Sequence, residues 1–258
     1  KVFCIDRIPG PERDRLDRRG RPANDRPRVL ALDARTGDVV WETERCAGEW
    51  LTYSVEHDIL LSAGALRGRD GSVVWDNPES AQAIWSGKWG LILRGETIIT
   101  QSMRAYDLLT GEQKMWVGID GEPVEWRVRR YHGCGPMAGS EHLLAFRSGC
   151  AGFYDLLHDG GTANLGGFRS GCPSNLIAGG GVLSAPDYTR GCGCAYQNRS
   201  SLGLVHMPEA EYWTFGAQPD SARIGVNFGA PGDRRAPDGT LWVEWPENES
   251  PSPGLDVR

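Results

Sequence analysis

Ala31-Leu-Asp33-Ala-Arg-Thr36-Gly37-Asp-Val-Val-Trp41 decides the fold, because the chain repeats it. It returns as Asp70-Gly71-Ser-Val-Val-Trp75 and as Ala105-Tyr-Asp107-Leu-Leu-Thr110-Gly111-Glu-Gln-Lys-Met-Trp116. Each copy reads as a β-hairpin: an alternating apolar strand, a turn in which Gly supplies the positive φ, and a second strand ending on an indole. The tryptophans stand 34 and then 41 residues apart. That is the period of one blade of a β-propeller, whose four-stranded sheets bury their faces only against neighbouring sheets. The second copy lacks the Thr and the third has one extra residue before its Trp, so both turns are expected to be looser or bulged.

The motif Ala-x-Asp-x-x-Thr-Gly-x-x-x-Trp resembles the quinoprotein-like propellers, also called PQQ-like repeat proteins. These include quinoprotein alcohol dehydrogenases and the propeller lipoprotein of the outer-membrane β-barrel assembly machinery. The resemblance implies a propeller of seven or eight blades, in which the Trp of one blade packs on the next blade beside its Gly. Trp41, Trp75 and Trp116 match that role, with Gly37, Gly71 and Gly111 as the turn glycines.

Composition agrees with an all-β class. The chain has 258 residues, 40% hydrophobic and 24% charged, with 35 Gly and 16 Pro to serve many short strands and turns. No apolar run approaches the ~18 residues of a membrane-spanning helix. Net charge is −6 and no basic stripe is interleaved with aromatics, which argues against a nucleic-acid partner.

Residues 1–213 read as a partial propeller of four to five blades. Val2-Phe-Cys-Ile-Asp6 opens a hairpin that a charged, Pro- and Arg-rich insertion, 11–28, interrupts before it finishes at Trp41. The insertion reads as a solvated loop, with room for one helical turn, in preference to an anion-binding patch. Leu51 to Trp75 and Trp89 to Trp116 are the next units. Gly152-Phe-Tyr-Asp155 then echoes Arg104-Ala-Tyr-Asp107, and Gly166-Gly-Phe168 stands where a docking aromatic is expected. Asn175-Leu-Ile-Ala, Gly181-Val-Leu-Ser-Ala and Leu202-Gly-Leu-Val-His206 are strands of a last unit. With too few blades to close, the chain reads as a fragment of a larger bacterial protein. Residues 214–258 read as a linker and the opening of a β-sandwich module, or as a tail packed on the propeller; both stay open.

Five cysteines, Cys134, Cys150, Cys172, Cys192 and Cys194, cluster within about 60 residues. Two of them end the duplicated phrases Phe146-Arg-Ser-Gly-Cys150 and Phe168-Arg-Ser-Gly-Cys172. Disulfides stapling irregular loops would place the protein outside the cytoplasm, in the periplasm or cell envelope. Cys4 reads as a small buried residue, and Cys46 follows the first docking Trp. Zinc would use His132, Cys134, Cys192 and Cys194, but no Cys-x-x-Cys pair occurs. A redox pair at Cys192 and Cys194 would close a strained ring.

The quinoprotein dehydrogenases, as the resemblance implies, hold their quinone between a tryptophan floor and a disulfide of adjacent cysteines. A Ca²⁺ on Glu, Asn and Asp ligands and an Asp base complete that site. This chain has no adjacent cysteines and no motif to carry those roles over, so no catalytic, cofactor or metal residue is assigned. Asp33 and Asp107 read as acceptors for turn N–H groups. Gly179-Gly-Gly181 reads as a turn, and Asn198-Arg-Ser200 and Asn248-Glu-Ser250 as chance matches to the glycosylation triplet. The expectation is a non-catalytic scaffold that binds a protein, peptide or glycan partner. The competing expectation is an oxidoreductase dependent on pyrroloquinoline quinone and calcium, or a degraded relative of one.

Overall fold

The structure, a computed structural model, describes residues 1–21, 26–46, 49–77, 84, 89–118, 120–166, 168, 176–186, 201–205, 207 and 212–246. It is all-β, built from several small, mostly antiparallel sheets; no closed barrel or ring of blades is defined among the described residues. The chain divides into two compact units, Lys1–Gln113 and Lys114–Arg258.

In the first unit β1 (Val2–Asp6), β2 (Arg28–Leu32) and β3 (Val39–Thr43) form an antiparallel sheet in that order. Between β1 and β2 lies α1 (Gly10–Arg18), a nine-residue helix with no buried residue. It replaces the expected loop. Pro11 suits the first turn, where no N–H is needed, and Glu12 and Arg15 form an ion pair at 2.7 Å. Arg28 closes the base of this excursion by bonding Asp6 at 2.8 Å and Glu42 at 2.9 Å across the three strands.

β4 (Thr52–Ser54), β5 (Ile59–Ser62), β6 (Gly64–Arg67) and β7 (Val73–Trp75) make a complete four-stranded antiparallel meander. All four residues of β5 are buried, so this sheet is covered on both faces. Leu60 and Leu66 pack with Val29, Phe3 and Trp41 of the first sheet. Ile59, Leu61 and Ala65 pack with Ile98, Tyr106 and Leu108. The last three belong to, or directly follow, a third sheet of β8 (Ile92–Arg94), β9 (Thr97–Ile99) and β10 (Ala105–Asp107). The period of two sends alternate residues to opposite neighbours, and each fully buried Leu or Ile stabilises the stack by roughly 1.5–3 kcal/mol. The repeated phrase predicts four-stranded sheets; the second sheet has four strands, and the first and third have three among the described residues.

The second unit opens with a two-stranded ribbon, β11 (Met115–Val117) and β12 (Pro123–Glu125). Next come β13 (Ala138–Gly139), β14 (Leu143–Ser148), β15 (Cys150–Asp155) and β16 (Thr162–Asn164), an antiparallel meander. A separate sheet follows, β17 (Ile177–Gly179), β18 (Val182–Ala185) and β19 (Leu202–Val205). Ala145, Ala151, Leu176 and Ala185 pack the two sheets together, with Phe168 beside them.

β20 (Thr214–Phe215) pairs with β16 as a fifth strand of the meander sheet. A reciprocal bridge, Thr214 N–H to Asp233 O at 2.9 Å and Asp233 N–H to Thr214 O at 2.8 Å, carries the pairing onward. It reaches a mixed sheet of β21 (Ile224–Phe228), β22 (Arg234–Arg235) and β23 (Leu241–Trp245), in which β21 and β23 run parallel. Residues 214–245 are thus hydrogen-bonded to the sheet of residues 138–164.

Candidate functional site

The most built feature is a pair of indole seats. Trp41 lies flat on Gly71, where a Cβ would fall 2.9 Å from ring atoms Cδ2 and Cε3, and its Nε1 donates to the Gly68 carbonyl at 3.0 Å. Trp75 lies on Gly111, where a Cβ would fall 2.7 Å from Cε3, and its Nε1 donates to the Leu108 carbonyl at 2.8 Å. In both seats the acceptor directly follows the residue that begins the turn, Arg67 or Asp107. That acceptor residue is itself pinned: Gly68 N–H donates to Asp58 O at 2.9 Å and Leu108 N–H to Glu96 O at 2.8 Å. Both glycines have positive φ, +73° and +75°. The seat therefore needs Gly for two reasons, backbone hand and room for the ring.

The turns repeat the same bonds. Asp33 Oδ1 accepts from Arg35 N at 2.8 Å and Thr36 N at 3.0 Å, and Asp107 Oδ1 from Leu109 N at 2.8 Å and Thr110 N at 3.0 Å. Those backbone N–H groups hold the Asp33 carboxyl below its usual range. Of the looser or bulged turn expected of the incomplete second copy, the structure shows the register irregularity and not the looseness. Gly71 N–H reaches Arg67 O at 2.8 Å, and its register irregularity at Ala65/Leu66 matches one at Ala31/Leu32 in the intact first copy. Asp70 takes over, accepting from Ser72 Oγ at 2.6 Å and Ser72 N at 2.9 Å.

The third copy departs from the pattern. The Trp116 indole N–H is buried and, among the described residues, reaches no acceptor, so Trp116 lacks there the docking bond expected of it. The third copy carries one residue more between its Gly and its Trp than the first copy does.

A fourth copy of the turn, without a Trp, lies at Asp155–Asp159. Asp159 stands in the glycine's place at φ +49° and its N–H donates to Asp155 O at 3.1 Å. Leu157 N–H donates to Asp155 Oδ1 at 2.8 Å, and Leu156 N–H to His142 O at 2.8 Å, as Leu108 does to Glu96. The echo at Gly152–Asp155 is therefore structural. Beside it the buried Tyr154 hydroxyl donates to Asp159 Oδ1 at 2.7 Å, and Trp126 meets the Tyr154 ring edge-on at 5.9 Å. Burial first, then Asp159, pushes the Tyr154 phenol well above its ordinary value. Sequence reasoning missed Trp126, Tyr154 and Asp159. The signal lay in a spacing shared with Tyr53, whose hydroxyl donates to Asp58 Oδ1 at 2.9 Å with Asp58 at φ +52°.

Tyr53, Asp58, Gly68 and Arg69 line, with Lys1, a depression of about 470 Å³. Its polar groups are engaged with one another: Arg69 N–H donates to Asp58 Oδ2 at 3.3 Å and Lys1 Nζ to Gly68 O at 3.2 Å. Cys4, Cys46, Cys134 and Cys150 carry free thiols, Cys134 exposed and the others half-buried, and burial pushes the Cys46 thiol up. Cys172, Cys192, Cys194 and both Asn-x-Ser triplets lie outside the described residues. Among the described residues no group of three or more His, Cys, Asp or Glu is placed to hold a metal ion. His158 Nδ1 contacts Asp155 Oδ2 at 2.6 Å on the surface, beside the repeated turn. No protein-family description matches the chain, and no curated protein matches it.

Proposed function

We propose that this chain is a non-catalytic scaffold or binding module built as part of a quinoprotein-like β-propeller. The observation that carries the reading is the duplicated seat, in which Trp41 and Trp75 each cover a positive-φ glycine of the following sheet and bond the carbonyl at the same turn position. Stacked sheets joined this way form a rigid frame, and loops on a rigid frame are where binding surfaces arise. The carboxylates of the repeated phrase, Asp33 and Asp107, are spent on turn N–H groups, which supports a structural role for the motif. The partner in this reading is a protein, peptide or glycan, and the setting is the periplasm or cell envelope.

Calorimetric titration of the folded chain with pyrroloquinoline quinone and Ca²⁺ tests the reading. A flat titration is expected. Saturable one-to-one binding would replace the scaffold with a quinone-dependent oxidoreductase.

A further inference from the structure

Gly37 is the uncovered one of the three turn glycines. Its N–H donates to Asp33 O at 2.9 Å and its φ is +80°, so it closes the same turn as Gly71 and Gly111. Those two lie under the rings of Trp41 and Trp75, whereas among the described residues nothing comes within 4 Å of the Cβ position of Gly37. The carbonyl at the acceptor position, directly after Asp33, is that of Ala34.

The sheet face beside this turn repeats the relationship. In the second sheet Leu60 and Leu66 are cross-strand partners, both fully buried, and they pack with Trp41. In the third, Ile98 and Tyr106 are partners, 0% and 3% exposed, and they cluster with Trp75. The partners at this register in the first sheet are Val2 and Leu32. Phe3 and Val29 pack toward the second sheet, so the period of two turns Val2 and Leu32 to the opposite face. There Val2 is 50% exposed, and Val39 and Val40, which follow Gly37, are 55% and 47% exposed. All of these residues belong to the first unit.

The two covered seats define the occupant. In each, a strand reading Val-Val-Trp supplies the ring, Val39-Val40-Trp41 to Gly71 and Val73-Val74-Trp75 to Gly111, and the indole N–H donates to the carbonyl at the acceptor position. A flat ring on a left-handed glycine with its N–H on one fixed carbonyl selects an indole over a phenyl ring, which has no donor. A second copy of the chain is a poor source, because its Trp41 and Trp75 are held on their own glycines and the Trp116 Nε1 is buried.

We infer that the Gly37 turn and the face of Val2 and Leu32 dock a tryptophan-ended β-strand, of the Val-Val-Trp kind, presented by a partner protein. This rests on the binding-module reading and names its partner class. The incoming indole lies on Gly37 and donates to the Ala34 carbonyl, and its ring extends over Val2 and Leu32 as that of Trp41 packs with Leu60 and Leu66.

The test titrates the full chain with a fluorescent, head-to-tail cyclised hairpin peptide copying residues 64–76, whose Trp75 is unseated, and with the same peptide carrying Trp75→Phe. Anisotropy reads the affinity and the Gly37 amide resonance reads the place. Saturable binding of the tryptophan peptide is expected, with a ring-current shift at Gly37 and about tenfold weaker binding of the phenylalanine peptide. Gly37→Ala puts a methyl where the ring lies and should weaken binding by about tenfold or more. Val2→Lys leaves the turn intact, charges the exposed face and should weaken it by roughly threefold or more. No binding, equal binding of both peptides, an unmoved Gly37 amide, or indifference to both variants would overturn the inference. So would concentration-dependent self-association abolished by Gly37→Ala, which would make a second copy the occupant. Quinone binding would sink the module reading independently of any peptide result.

Discussion

The Trp75 indole donates to the carbonyl of Leu108 at 2.8 Å, across 33 residues of sequence, while its ring covers Gly111. One side chain thereby ties the second sheet to the turn of the third. Trp41 ties the first to the second in the same manner, through Gly68 and Gly71.

Placing Ala at Gly111 or Gly71 should therefore be costly. The new Cβ meets an indole at under 3 Å and the backbone is left-handed, so about 2–5 kcal/mol of stability is expected to go. Gly37→Ala shares the positive φ but meets nothing within 4 Å, and should cost only about 1–2 kcal/mol. Urea unfolding midpoints compare the three; equal losses would mean that the seats do not hold the ring.

Trp75→Phe leaves the Leu108 carbonyl without its donor and should cost about 1–3 kcal/mol in the same assay. Trp116→Phe removes a buried N–H that has no acceptor among the described residues, so its effect should lie within about 1 kcal/mol of zero. A large loss at Trp116 would show that it docks after all.

Stability should fall at both extremes of pH. Asp33, Asp70 and Asp238 are held below their ordinary value of 3.8 by turn hydrogen bonds, so their contribution is present above that pH and fades as acid protonates them in the folded state. Tyr154 is raised above its ordinary value near 10, so the unfolded chain ionises first. Its contribution is whole below pH 10 and drains away as the pH climbs above it. Chemical unfolding from pH 9 to 11.5 should show this fall, at roughly one proton per molecule in the slope, and Tyr154→Phe should remove it. An unchanged alkaline limb in that variant would assign the loss elsewhere.

Native-state alkylation followed by peptide mapping should label Cys134 ahead of Cys46 and Cys150. Cys134 is exposed, the other two are half-buried, and burial raises the Cys46 thiol, which lowers its thiolate fraction. Faster labelling of Cys46 would contradict the packing around the first seat.

Much of the first unit is legible in the amino-acid sequence. Alternation marked the strands, Thr-Gly and Asp-Gly marked the turns, and the repeat spacing of the tryptophans marked stacked sheets, because these signals are local and periodic. The charged stretch after β1 was legible as solvated but not as a helix, since α1 buries nothing and depends on Pro11 and ion pairs rather than an apolar face.

The hairpin phrase and its consequence, an all-β chain whose docking indoles need glycines to lie on, follow from local sequence alone. Which indole finds its seat is settled by long-range packing. Trp41, Trp75 and Trp116 look alike in sequence, yet among the described residues the third has no acceptor, because an indole N–H is satisfied only where packing sets a carbonyl from a distant part of the chain against it. The fourth turn, with Asp159 in the glycine's place, and the bridge from Thr214 to Asp233 were likewise decided in three dimensions. Both depend on a long-range partner: the Leu156 N–H needs the carbonyl of His142, and β20 must cross some fifty residues of chain to reach β16, contacts that carry no periodic trace in the sequence.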